Sequence, residues 1–154
     1  MKITLKTIAV YEILTGLIMS VNILFFLIEA DAAGTSIIKN ILFLFLYVGV
    51  AFAGVLLWKK KSKGLMLSIV AQSLHLITFD IIRIAYRFTG LIDFFIYFRS
   101  GEGVGFNGYV GGRYAFSVFD EAAASMFGVN IVAIILLVIL LKAKGEGSRL
   151  TNNA

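Results

Sequence analysis

The sequence predicts an all-α integral membrane protein, a four-transmembrane-helix bundle with both termini in the cytoplasm. A short outer β-hairpin and an interfacial segment lie between the third and fourth helices. Three observations predict this. First, 60% of the 154 residues are apolar and 15% charged, with a mean hydropathy of +0.95; a soluble domain has roughly 45–50% and about 25%. Second, four windows reach the roughly 20 mostly apolar residues that a spanning helix needs. Third, basic residues sort to one side of those windows.

The windows are 7–28, 37–58, 64–86 and 122–141, and together they make one membrane domain over 1–154. The first holds one charge, Glu12, and the second only Lys39 near its start. The third is polar, and the fourth is uncharged. Met1-Lys2, an apolar run and Ala30-Asp31-Ala32 resemble a cleaved leader, but the run is longer than a leader's and contains Glu12. It reads as a retained span.

With the N-terminus inside, the inner side holds Lys2, Lys6, Lys59, Lys60, Lys61, Lys63, Lys142, Lys144 and Arg149 against Glu146. The outer side holds Lys39, Arg83, Arg87, Arg99 and Arg113 against Glu29, Asp31, Asp80, Asp93, Glu102, Asp120 and Glu121. The basic pI of 9.6 therefore reports topology and lipid contact. No nucleic-acid partner is expected; the partners are the bilayer and a membrane protein or second copy. The expected location is the bacterial cytoplasmic membrane.

The outer loop, 89–121, has two parts. Residues 91–99 are apolar and aromatic and read as an interfacial segment. Within 104–119, Gly111-Gly112 suits the positive φ angles of a hairpin turn. Pairing Val110 with Arg113 places Tyr109 opposite Tyr114, Asn107 opposite Phe116 and Gly105 opposite Val118. Tyr109, Tyr114, Phe116 and Val118 are the candidate outer contact surface. Gly101, Gly103 and Gly105 precede no helix with a Lys, so they do not make a phosphate loop.

At membrane depth, helical periodicity puts Ser68, Gln72, His75, Asp80, Arg83 and Arg87 on one arc of the third window, with Asp80 and Arg83 spaced to pair. The first window has a second stripe of Tyr11, Glu12, Thr15, Met19, Asn22 and, at the outer end, Glu29, and the fourth adds Asn130. Depth counting at 1.5 Å per residue gives an inner layer of Glu12, Ser68 and Gln72. The outer layer is Asn22, Asp80, Arg83 and Asn130, with His75 between. Gly49, Ala53 and Gly54, with Ala124 and Gly128, allow close helix approach. For most of these polar residues interhelical hydrogen bonding is explanation enough. Glu12 stands open between a structural hydrogen bond and a proton- or ligand-linked role.

No cysteine exists, which excludes disulfide and thiol chemistry, and a single His excludes a multi-His metal centre. No metal or cofactor is expected, and no catalytic residues are assigned. Ser68 or Ser73, His75 and Asp80 on one rigid helix do not converge as a triad. The expected function is that of a non-enzymatic membrane subunit, scaffold or binding protein. A small proton- or ion-coupled transporter using Glu12 and the His75, Asp80 and Arg83 face is the alternative, and an intramembrane enzyme acting on lipid or quinone the second. A carboxylate in the first of four spans is similar to the small multidrug resistance transporters. Those proteins are shorter, lack a long outer loop and carry no His-Asp-Arg face, so the likeness covers Glu12 and a helix count. The tetraspanin layout also has a long third loop, but one built on cysteines.

Overall fold

The computed structural model describes residues 2–29, 34–81, 83–118 and 125–152. In chain order it has α1 (Lys2–Glu29), α2 (Gly34–Trp58), α3 (Ser62–His75), β1 (Ile77–Ile81), β2 (Ile84–Phe88), β3 (Ile92–Arg99), β4 (Gly103–Val110), β5 (Tyr114–Val118), β6 (Met126–Asn130) and α4 (Ile131–Asn152). Among the described residues only Ile3–Ile28 and Ile37–Trp58 are long and apolar enough to cross a membrane. The four-transmembrane-helix, all-α bundle is therefore overturned: four helices carry a six-stranded antiparallel sheet.

The third window fails as a helix after His75. Ile77, Thr78, Phe79, Ile81, Ile84, Tyr86 and Phe88 are β-branched or aromatic and fit a pleated surface. α3 thus has 14 residues, about 21 Å of helix against a hydrocarbon layer of about 30 Å. The fourth window divides at Asn130. Before it lies β6. After it, 11 apolar residues of α4 precede Lys142 and Lys144. The interfacial segment 91–99 is strand β3. Ala30-Asp31-Ala32, Asp120, Glu121 and Ala124 lie outside the described residues.

The predicted hairpin is also overturned. The strand order is β4-β3-β6-β1-β2-β5, so 104–110 and 114–118 sit at opposite edges of the sheet, while Phe119 lies outside the described residues. Tyr109 is opposite Asp93, Asn107 opposite Phe95 and Gly105 opposite Tyr97. Tyr114 is opposite Phe88, Phe116 opposite Tyr86 and Val118 opposite Ile84. Gly111 (φ 113°) and Gly112 (φ 67°) do adopt left-handed angles, but they carry the chain from one sheet edge to the other. Four Cα steps from Val110 to Tyr114 reach at most about 15 Å. Six strands laid flat put their edges about 24 Å apart. The sheet must therefore curl until its edges approach at this end.

Its curvature sorts the side chains. One face carries Ile77, Ile81, Ile84, Ile92, Phe94, Ile96, Phe98, Val104, Phe106, Phe116 and Phe127, all exposed. The other carries Thr78, Arg87, Tyr97, Arg99, Asn107 and Tyr109, which line a single cavity, so this is the concave side. Across the middle of it, Thr78 (β1), Gly128 (β6), Tyr97 (β3) and Gly105 (β4) stand in register. A Cβ at Gly105 would lie 2.6 Å from Tyr97 Oη, and one at Gly128 2.9 Å from Thr78 Cγ2. The glycines leave room for the tyrosine on the inside of the curve.

The helices meet at the other end. Ile8, Ala9, Leu57 and Leu140 form one core there, with Leu65 and Ile69 against it. A second core joins helices to sheet: Met19, Ile23, Phe43, Tyr47, Val50, Ala71 and Phe88. Phe88 lies 4.6 Å from the Tyr47 ring and 4.6 Å from His75. The Tyr47 hydroxyl donates to the carbonyls of Thr89 (2.9 Å) and Arg113 (3.3 Å), fastening α2 to the base of β2 and β5. α1 and α2 touch through Gly16 and Gly54. Gly49, also expected at a close approach, has nothing near its Cβ position.

Candidate functional site

Two groups of polar residues lie inside this apolar shell. The first is in the helices. Ser68 Oγ donates to Glu12 Oε2 at 2.6 Å, and Gln72 Nε2 donates to Glu12 Oε1 at 3.1 Å. All three are buried. Ser68 and Gln72 are four apart on α3, so both face α1, and Gly54 of α2 backs the Glu12 Cβ at 3.0 Å from where its own would lie. The expected inner layer is thus assembled in space. Gln at position 12 keeps an acceptor for Ser68, whereas Leu leaves Ser68 and Gln72 without partners. Glu12→Gln should change stability by less than about 1 kcal/mol and Glu12→Leu should cost about 2–4 kcal/mol, read by thermal unfolding in detergent.

His75, one turn beyond Gln72, is buried against Phe88, and neither ring nitrogen has a hydrogen-bond partner among the described residues. Leu at this position fills similar space with no unpartnered nitrogen, so His75→Leu should hold or raise the melting temperature in detergent.

The expected outer layer is not assembled. Asn22 is exposed on α1, Asp80 lies in β1 and Arg83 in the turn after it. Asp80 and Arg83 form no ion pair; the pair among the described residues is Arg99 with Glu102 at 2.8 Å. Asn130 instead joins sheet to helix. Its Oδ1 accepts from the backbone N–H of Val132 (3.1 Å) and Ala133 (3.4 Å), capping α4, and its Nδ2 donates to buried Asp93. Burial raises the Asp93 pKa above its ordinary value, against hydrogen bonds that lower it.

The second group lines the concave face of the sheet. A cavity of about 200 Å³ is bounded by Thr78, Arg87, Thr89, Tyr97, Arg99, Asn107, Tyr109 and Arg113, with Phe95 and Met126. An open groove of about 520 Å³ adjoins it, bounded by Met19, Asn22, Phe26, Lys39, Asn40, Arg87, Arg113 and Tyr114. Arg87 and Arg113 line both. Arg87 is opposite Ala115, and Arg113 follows the same register two residues on, beside Thr89, whose Oγ1 accepts its N–H at 2.6 Å. The two arginines are therefore diagonal neighbours on one face. The Arg113 guanidinium lies 3.6 Å above the Tyr109 ring, a cation–π contact that fixes it. No carboxylate lines either cavity among the described residues.

The expected contact surface is divided: Tyr109 lies under Arg113, Tyr114 packs on Phe43 at 4.9 Å, and Phe116 is exposed on the convex face. The sequence pattern marks Arg113 only as a turn-flanking residue and Arg87 only as part of a helical stripe. The alternation in 92–99, with Asp93, Tyr97 and Arg99 against Ile92, Phe94, Ile96 and Phe98, is the signal that reveals the concave face. No group of three His, Cys, Asp or Glu side chains suited to a metal occurs among the described residues. The chain matches no protein-family model, no curated protein and no solved structure.

Proposed function

We propose that the chain is a non-enzymatic binding protein or subunit of the bacterial cytoplasmic membrane, held by the α1–α2 hairpin and seated with the convex face of its sheet toward lipid. The observation that supports this reading is the inversion of polarity in the sheet. On β3, Phe94 is 44% exposed and Phe98 57%, while Asp93 between the apolar positions is 2% exposed. An exposed apolar surface of this extent is unusual for a soluble monomer, and apolar-out, polar-in alternation is the pattern of strands facing lipid. α3 is shorter than the hydrocarbon layer, so the strands that continue it begin within membrane depth. Lys6, Lys60 and Lys61 gather at the opposite end around Trp58, which supports that end as the cytoplasmic one.

The chain should stay in the membrane fraction through an alkaline carbonate wash and leave it only with detergent. Single cysteines at Lys61 and Ser100 should react with an impermeant thiol reagent from opposite sides. Release by carbonate, or labelling from one side only, would sink the reading.

A further inference from the structure

From the basic groove we infer a binding site for a phosphate ester: Arg87 and Arg113 receive the phosphoryl oxygens, with Lys39 contributing charge from α2. Two guanidiniums held diagonally on one rigid sheet face present planar forks to a tetrahedral oxyanion, a geometry that favours phosphate. No carboxylate lines the cavities that share these arginines among the described residues, and Asp80, diagonal to Arg87 across β1 and β2, forms no ion pair with it. Tyr109 holds Arg113 in place by its ring, and Thr89 and Asn107 add short polar groups beside it. The groove is also amphipathic. Met19 and Phe26 of α1 form its apolar wall, on the side where α1 is exposed along Phe25 and Phe26. A phosphate whose ester carries acyl chains can place its head at the arginines and its chains along that wall. A soluble phosphate ester satisfies the arginines alone. The lipid source rests on the membrane placement proposed above; the phosphate chemistry does not.

The test uses the full chain in a neutral detergent. One arm measures retention of phosphatidylglycerol against diacylglycerol, which lacks the phosphate, in mixed micelles by native mass spectrometry. The other titrates inorganic phosphate and glycerol 3-phosphate by calorimetry. Arg87→Gln and Arg113→Gln are compared with Arg87→Lys, Arg113→Lys and a control in which Lys59 and Lys60 are Gln. Preferential phosphatidylglycerol retention, weakened at least about tenfold by either Gln variant and left unchanged in the control, supports the site with a lipid ligand. Tight binding of glycerol 3-phosphate with the same dependence supports it with a soluble ligand. Equal retention of the two lipids together with no binding of either soluble phosphate overturns it. Binding that persists in a folded double Gln variant also overturns it, and the Lys variants serve as folded comparators if a Gln variant fails to fold. A chain that washes off membranes yet binds soluble phosphate through Arg87 and Arg113 defeats the membrane reading and leaves this one standing.

Discussion

Gly16→Val should abolish accumulation of the folded protein, and Gly16→Ala should cost about 2–3 kcal/mol or more. A Cβ at Gly16 falls 2.6 Å from that of Ala51 and closer still to the Tyr47 carbonyl oxygen. Those are backbone and stub atoms of α2 with no rotamer to yield. Relief requires α1 and α2 to separate along their whole contact. Separation also draws Tyr47 away from Thr89 and Arg113, whose carbonyls it holds. Gly49→Ala is the internal control, because nothing lies within 4 Å of its Cβ position. Ala there should be neutral or raise stability by up to about 1 kcal/mol through helix propensity. Detergent-solubilised yield and melting temperature read both. Equal tolerance at the two sites would contradict this close α1–α2 packing.

Asn130→Ala should cost about 2–4 kcal/mol, as much as Glu12→Leu. The side chain caps the first turn of α4 and accepts the Phe94 N–H at 3.4 Å. It also donates to Asp93, whose other near partner is the Gly90 N–H at 3.1 Å. Ala removes the cap and strips a buried carboxyl of a donor at the point where β3, β6 and α4 meet. Asp at 130 keeps the cap but opposes Asp93 with a second carboxyl. Asn130→Asp should therefore be milder than Ala at low pH and worse as pH rises through the carboxyl range, measured by melting temperature across pH 4–8.

The parts of this architecture legible in the sequence are those governed by local pattern. α1 and α2 follow from long apolar runs. Glu12 with Ser68 and Gln72 follows from helical spacing and a shared depth. The sheet was hidden because Asp80, Arg83 and Arg87 fit a helical arc as well as they fit a strand, and hydropathy alone does not separate the two. Ile77, Thr78 and Phe79, and the alternation after Leu91, carried the opposing signal. Gly111-Gly112 announced left-handed angles correctly. Whether such a turn joins neighbouring strands or opposite edges depends on which strands fill the space between, and that is a long-range matter. The basic groove depends on the same choice, since Arg87 meets Arg113 only through the pairing of β2 with β5.

The strand order also dictates a sequence of events at synthesis. β6 is made last yet sits in the middle of the sheet, with β3 on one side and β1 on the other. Until residues 126–130 emerge, the β3–β4 hairpin and the β1–β2 hairpin with β5 share no strand ladder, and only the short links 89–91 and 111–113 connect them. The final strand closes the sheet like a keystone, and α4 follows it directly. A nascent chain halted before Met126 should therefore hold two protease-sensitive fragments in place of one resistant sheet, and resistance should arrive in a single step once Asn130 is in place.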